Sequence, residues 1–309
     1  MVLITAPVHP QFLQVLDLHG MVHRYVPDMK YADLIKQIED AEGLVVSTHI
    51  PIDREILQNA NRLKWIARLG SGMEHIDVAL AESKGIRCIS SPEGNRRAVA
   101  EHAMGLLLNV VRHINACQDE LRQFKWLRDK NRGIELEGKT AGIIGYGNTG
   151  STFARLLAAF GMKVLAYDKY RNVQSEHNIT PATFSEVMNQ SDVISFHLPY
   201  NAETHYMAGA DFFKGLKRKP VVINTSRGSV LDTLALCHAL DQELVSGAGL
   251  DVLENEKPHT YDPQERELFN RLLHDNRVIV TPHIAGYTQE SPQKMAMIIL
   301  EKLGLGFPE

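Results

Sequence analysis

Gly145, Gly147 and Gly150 carry the spacing GxGxxG inside KTAGIIGYGNTG, residues 139–150. The apolar run 140–144 ahead of them has strand character, and a helical run follows. Gly145 permits a tight turn, Gly147 lets a pyrophosphate approach the backbone, and Gly150 lets the helix pack close to the strand. The free N–H groups and positive dipole end where that helix starts, at Asn148 and Thr149, suit a dinucleotide pyrophosphate. The helix should run to about Phe160, with Phe153, Leu156, Leu157 and Phe160 on one face and Gly161 ending it. A second strand, 163–167, delivers Asp168, 18 residues past Gly150. A carboxylate there can accept hydrogen bonds from both adenosine ribose hydroxyls and would repel a 2′-phosphate, so NAD is favoured over NADP. Lys169 and Arg171 follow the acid and could soften that preference. Glycines alone would be weak evidence, but strand, glycines, helix, strand and acid stand here in the required order.

Arg227, Glu256 and His283 lie in INTSRGSV, AGLDVLENEKP and IVTPHIAG, each just after an expected strand. Open α/β folds place ligands at that edge of the sheet. Asp251 stands at the strand end ahead of Glu256, and a proline fixes the approach to His283. Taken singly, the arginine would read as a surface cation, the glutamate as solvated and the histidine as serving a backbone carbonyl. Together, and beside a dinucleotide loop, they point to catalysis.

Two βα series must position these residues. Strands are expected at 2–5, 43–47, 65–69 and 86–90, with another at 23–26, and helices at 10–18, 31–39, 53–60 and 74–84. This alternation implies a parallel sheet with helices on both faces. Residues 91–97 are polar and turn-rich, and a long amphipathic helix follows at 98–118. The second series has strands at 141–145, 163–167, 192–196, 221–224, 247–250 and 277–280; six strands suit a complete dinucleotide-binding sheet. The segment 287–309 is mostly helical and should pack back onto the first domain. The expected fold is α/β, with two doubly wound parallel-sheet domains. A Rossmann NAD-binding domain, 94–286, is inserted in a flavodoxin-like substrate domain, 1–93 plus 287–309. Two crossings between domains suit a cleft that closes on its ligand.

At 309 residues the chain exceeds one average domain, and its 44% hydrophobic content can build two cores. A net charge of −4 with scattered basic residues gives no footprint for nucleic acid. Cys88, Cys117 and Cys237 are far apart and odd in number, which fits a reducing compartment, no disulfide framework and no metal site. The first ten residues lack the basic region and long apolar core of a signal peptide. The longest apolar run, 103–111, is too short to span a bilayer. A cytoplasmic enzyme is the default expectation.

The chain resembles the D-isomer-specific 2-hydroxyacid dehydrogenases over essentially its whole length. The carrying motifs are GSGMEHID (70–77), GNRRAVAEHAMGLLL (94–108), GYGNTG (145–150), HLPYNAET (197–204), NTSRG (224–228), DVLENEKP (251–258) and TPHIAG (281–286). The resemblance implies that Arg227 binds the substrate's carboxylate and carbonyl oxygen, that His283 is the acid/base and that Glu256 is its partner. Physical chemistry agrees: arginine stays charged and holds a carboxylate in a fixed orientation. Histidine titrates near neutrality, and a neighbouring carboxylate orients the ring and raises its pKa. The resemblance also puts the backbone N–H groups around Ser71 and Gly72 on the substrate carboxylate, with domain closure excluding water. His197 and Pro199, with Thr204 in the same motif, are implied near the adenine, and Thr225, Asp251 and Val99 near the nicotinamide. The helix from Ala98, over 98–118, would pair with its copy in a homodimer.

The family motif usually has proline directly after the glutamate, whereas Lys257 intervenes here. The chain ends soon after its last helix, so no appended regulatory domain is expected. Within the family the expected substrate is D-3-phosphoglycerate, at the first step of serine synthesis. Arg68, two residues before Gly70, and Arg128, two after Trp126, could each present a cation to a distal phosphate. The alternative enzyme is a glyoxylate or hydroxypyruvate reductase. A further alternative is an NAD-sensing scaffold of the corepressor type, which shares the fold and the three residues.

Overall fold

The computed structural model describes residues 1–307, and these divide into two compact units, Met1–Arg96 with the segment from Tyr287 onward, and Arg97–Gly286. The divisions therefore fall at 96/97 and 286/287, against the 93/94 and 286/287 expected from the sequence.

The first unit alternates β1 (Val2–Ile4), α1 (Pro10–Leu18), β2 (His23–Tyr25), α2 (Tyr31–Gln37), β3 (Gly43–Val46), α3 (Arg54–Asn59), β4 (Trp65–Arg68), α4 (Val78–Ser83) and β5 (Arg87–Ser90). The sheet order is β2-β1-β3-β4-β5, every pairing parallel. Its inner strands are continuous apolar runs because both faces are covered. Leu3, Leu44, Val46 and Ile66 pack on one side with α2, α3 and α4. Val2, Ile4, Val45, Ala67 and Ile89 pack on the other with Phe12, Val15 and Leu16 of α1. Ala296, Ile299 and Leu300 of the C-terminal helix, Ser291–Lys302, complete that second layer. The helix expected at 74–84 starts only at Val78. The Asp77 carboxylate accepts from the Leu80 N–H at 3.0 Å and sets the start.

The second unit begins with most of α5 (Pro92–Arg112), then α6 (Ile114–Arg122), β6 (Thr140–Ile144), α7 (Asn148–Ala159), β7 (Lys163–Tyr167) and β8 (Ile179–Pro181). It continues through α8 (Phe184–Gln190), β9 (Val193–Phe196), α9 (Ala210–Gly215), β10 (Val221–Asn224), α10 (Thr233–Asp241), β11 (Gly247–Leu250), α11 (Pro263–His274) and β12 (Val278–Val280). Its sheet, β12-β11-β10-β9-β6-β7-β8, is parallel throughout.

Three expectations for this unit need correction. The sheet has seven strands rather than six. The added β8 is a three-residue edge strand ending in proline, a position where a missing N–H is tolerated. Residues 91–97 are not a turn-rich linker, because α5 starts at Pro92, and proline suits the first helical position. The helix expected at 98–118 is two helices, broken at His113, whose φ is +54°. Asn109 bridges the break: its Oδ1 accepts from the Asn115 N–H at 3.2 Å and its Nδ2 donates to Asn115 Oδ1 at 2.9 Å. In α7 the buried face is Gly150, Phe153, Ala154 and Leu157, while Phe160 caps the helix and is 45% exposed.

Candidate active site

The glycine turn is built from β6 and α7. Gly145 has φ +95°, and a Cβ there would lie 2.3 Å from the His197 carbonyl oxygen. A Cβ on Gly150 would lie 2.0 Å from the Gly145 oxygen, so strand and helix touch backbone to backbone. Gly147 differs: a Cβ there would meet nothing within 4 Å, and no side chain caps α7. The first-turn N–H groups at Asn148 and Thr149 thus head a helix left uncapped beside open space, which fits an anionic pyrophosphate.

Asp168 follows β7 and is held by three backbone donors. Oδ2 accepts from the Tyr146 N–H at 2.8 Å; Oδ1 accepts from the N–H groups of Tyr170 and Arg171, both at 2.9 Å. A carboxylate offers about four acceptor sites, so little of this one is left for a ribose. The acid therefore also clamps the glycine turn to the end of the next strand. Lys169 is engaged with Glu203 at 2.9 Å, and Glu203 also accepts from the Tyr170 hydroxyl. That pairing draws the lysine's charge away from the role of softening the NAD preference.

His197 sits inside the unit, 8% exposed, with Nε2 2.9 Å from Ser195 Oγ and its ring 5.6 Å from that of Phe153. Burial pushes its pKa down to about 3, so the ring is neutral. Its backbone and Cβ pack against Gly145 and Gly150, and its Nδ1 is buried without a protein partner. Thr204 is likewise turned inward: its hydroxyl donates to the Pro199 carbonyl at 2.7 Å and accepts from the Asn201 N–H at 2.9 Å. It shapes the loop that carries Pro199. Val99 lies on α5 and is buried.

After β10, buried Asn224 folds the next turn. Its Oδ1 accepts from the Ser226 N–H at 3.1 Å and its Nδ2 donates to the Arg227 carbonyl at 3.0 Å. The turn leaves Arg227 half-buried, with Nη1 donating to the Ser226 carbonyl at 2.7 Å. Thr225 Oγ1 is buried without a protein partner, a polar atom suited to a bound ligand.

Asp251, expected near the nicotinamide, is 1% exposed and turned into the protein. Oδ1 accepts from Thr281 Oγ1 at 2.6 Å and the Ile284 N–H at 2.9 Å, Oδ2 accepts from the Ala285 N–H at 2.8 Å, and His102 Nε2 lies 3.3 Å from Oδ1. Burial pushes its pKa up, but these donors outweigh burial and hold it below the usual carboxylate value. Its own carbonyl accepts from the His283 N–H at 2.8 Å. Its carboxylate anchors the 281–285 loop. His102, Thr281 and Asn224 were missed as supporting residues, since nothing in their spacing marks them.

That anchor presents His283 in the left-handed region, φ +54°. Its Nδ1 faces both Glu256 oxygens, at 2.8 Å and 3.0 Å. The Glu256 hydrogen bond raises the His283 pKa; burial opposes it, Asp251 adds to the rise, and the Arg227 charge lowers it. With Nδ1 committed to Glu256, Nε2 is left to exchange a proton. The inserted Lys257 is accommodated by a loop built on Asn255, whose Oδ1 accepts from the Lys257 N–H at 3.0 Å. Glu256 and His283 are thus hydrogen-bonded in the second unit, and the Arg227 charge acts on the same ring.

In the first unit, the Arg68 guanidinium folds over Gly70. A Cβ on Gly70 would lie 1.5 Å from Arg68 Nη1. Ser91 Oγ accepts from the Gly70 N–H at 3.1 Å and fixes the approach to Ser71 and Gly72. Arg128 stands in a wholly exposed stretch, 121–130. Among the described residues no cluster of histidine, cysteine, aspartate or glutamate could hold a metal, and no helix is long and apolar enough to cross a membrane.

A family model described as the NAD binding domain of D-isomer specific 2-hydroxyacid dehydrogenases matches residues 104–285. The chain is 34% identical over 304 residues to a D-3-phosphoglycerate dehydrogenase of Archaeoglobus fulgidus, covering 98% of this chain and 56% of that one. It thus spans about half the length of that relative. It is 34% identical over 271 residues to a hydroxypyruvate reductase of Thermotoga maritima, covering 88% of this chain and 86% of that one. Among solved structures it is similar to a D-lactate dehydrogenase of Aquifex aeolicus complexed with NAD and lactic acid, with TM-score 0.82, 30% identity and coverage of 98% and 94%. The matched domain, the glycine turn with its acid, and the grouping of Arg227, Glu256 and His283 make this chain a member of the D-isomer-specific 2-hydroxyacid dehydrogenase family.

Proposed function

We propose that the protein is an NAD-dependent oxidoreductase interconverting a D-2-hydroxy acid and its 2-keto acid. The observation that carries this reading is the His283 ring, tied through Nδ1 to Glu256 and lying within reach of the Arg227 charge. The nicotinamide, when bound, supplies or accepts the hydride. The chain's own residues handle the proton and the charge. His283, protonated, gives a proton from Nε2 to the keto oxygen in reduction, and takes it back from the hydroxyl in oxidation. Glu256 stabilises the protonated ring. Arg227 holds the carboxylate and polarises the carbonyl through a fixed fork of donors. The glycine turn and the start of α7 would hold the pyrophosphate, Asp168 would turn its remaining acceptor site to the ribose, and Thr225 would offer its buried hydroxyl to the nicotinamide end.

Within the first unit, the N–H groups at Ser71 and Gly72 are the proposed carboxylate donors. Arg68, folded against Gly70 beside them, is the proposed reader of a distal phosphate, which favours D-3-phosphoglycerate. Arg128 lends that reading nothing, since its neighbours in 121–130 are all exposed. Reduction of hydroxypyruvate or glyoxylate is therefore the second reading. We also read the protein as a cytoplasmic homodimer. Its three cysteines are unpaired, and Phe124, 99% exposed, and Trp126, 82% exposed, stand out on the surface.

The test is NADH oxidation with 3-phosphohydroxypyruvate, hydroxypyruvate, glyoxylate and pyruvate at fixed pH. The phosphorylated acid is expected to lead in kcat/KM, and Arg68→Ala to erase most of its lead while sparing the plain acids. Equal efficiency for phosphorylated and plain acids moves the assignment to the second reading. Tight NADH binding with no turnover of any acid would support a scaffold instead.

A further inference from the structure

His102 lies on α5, among residues that otherwise pack the core: Ala100, Ala103, Leu106 and Leu107 are all buried. Its side chain is only 22% exposed. Nε2 reaches Thr281 Oγ1 at 2.9 Å and lies 3.3 Å from Asp251 Oδ1. Proton bookkeeping assigns the donors. The Thr281 hydroxyl has one proton, and its 2.6 Å contact with Asp251 Oδ1 claims it, because a carboxylate can only accept. Thr281 must then accept from His102, so Nε2 carries the hydrogen in the tautomer this network requires. The same nitrogen faces the carboxylate that anchors the Ile284 and Ala285 N–H groups.

These bonds converge on a strained residue. A non-glycine residue in the left-handed region persists where its surroundings hold it there. His283 is in that region, its N–H bound to the Asp251 carbonyl. Three charged groups face it: Glu256 from the 251–258 loop, Asp251 from the end of β11, and Arg227 from the turn after β10. Of these, Asp251 alone also meets α5, through His102 Nε2 at 3.3 Å. We propose that His102 is a positioning residue for His283, acting through Thr281 and Asp251 to keep the ring against Glu256. This rests on reading His283 as the acid/base only for its effect on turnover.

The test follows the His283 ring by NMR titration in the full-length wild type, His102→Ala and His102→Gln, the signal being assigned by its loss in His283→Gln. In His102→Ala the midpoint is expected to fall by about half a pH unit or more, because the Glu256 contact that raises it loosens. In His102→Gln, which keeps a side-chain N–H donor, it is expected to stay with wild type. In turnover, His102→Ala should lose about tenfold or more in kcat with the KM for NADH held within about twofold, and His102→Gln should recover kcat. An unchanged midpoint in His102→Ala overturns the proposal, even with a lowered Tm, because the histidine would then only support the fold. A shifted midpoint in a protein that turns over no 2-keto acid retains the positioning role and rejects the acid/base reading. Should His102→Ala fail to fold, Thr281→Val cuts the same link from the loop side and is read by the same midpoint.

Discussion

At the scale of single residues, His283 is tuned by its hydrogen bond to Glu256, which raises its pKa. Reduction needs the protonated ring. Glu256→Gln removes the charge that favours it, so the variant's reductive activity is expected to fall off at lower pH than wild type. The oxidative direction, which needs the neutral ring, should reach full rate at lower pH. Superimposable pH–rate curves would reject the pairing. The same shift has a stability sign. A histidine whose pKa is raised by folding adds stability at pH below its unfolded value and loses it as pH rises through the folded value. Glu256→Gln should therefore lose Tm mainly on the acidic side of that window. Asp168 gives a second residue-scale expectation. Asp168→Ala should raise the KM for NAD and narrow the preference over NADP, since the repelling carboxylate is gone. Its three backbone donors would also lose their acceptor, so the KM should rise even for NADP. An unaltered ratio of the two cofactors would sink the assignment.

At the scale of elements, the glycine turn was legible in the sequence because its constraints are local: a turn, an open approach and a close contact each need glycine within six residues. Gly150→Ala checks the last of these. A Cβ placed 2.0 Å from the Gly145 oxygen must push α7 off the sheet. A loss of about 1–3 kcal/mol in stability is expected from such overpacking, measured by denaturant unfolding, together with weakened NAD binding. Native stability and affinity in the variant would show that the turn is looser than its contacts imply. The features that sequence reading missed are non-local. The break at His113 has neither glycine nor proline to announce it, and depends on Asn109 meeting Asn115. The strand β8 exists because β7 offers an edge to a three-residue run. The anchoring role of the Asp251 carboxylate is non-local too. Only the arrival of Thr281, Ile284 and Ala285 from a distant segment turns it inward.

At the scale of the whole molecule, one stretch of the chain, 114–134, holds several of the exposed large apolar side chains. Ile114, Leu121, Phe124, Trp126, Leu127 and Ile134 are all between 41% and 99% exposed. The helix stretch expected to form the dimer, 98–118, is mostly spent within its own unit, where Ala100, Leu106 and Leu107 join the core. The proposed homodimer would use α6 and the segment after it, no residue of α6 being buried. Contiguous exposed apolar groups of this kind mark association surfaces. Trp126→Asp is expected to halve the mass seen in sedimentation while leaving NAD binding in place; an unchanged mass, or a wild type that sediments as a monomer, would reject the assembly.

The discontinuity of the first unit has a consequence for how the protein comes into being. A ribosome delivers β1 to β5 before the middle unit, yet one face of that sheet needs Ala296, Ile299 and Leu300, which are made after it. The middle unit has all its strands by Val280 and can close its own core while the earlier one waits. Birth order and completion order are thus reversed. Throughout elongation of nearly two hundred residues, from Arg97 to Gly286, the nascent chain carries an unfinished apolar face, where passing chaperones would find it.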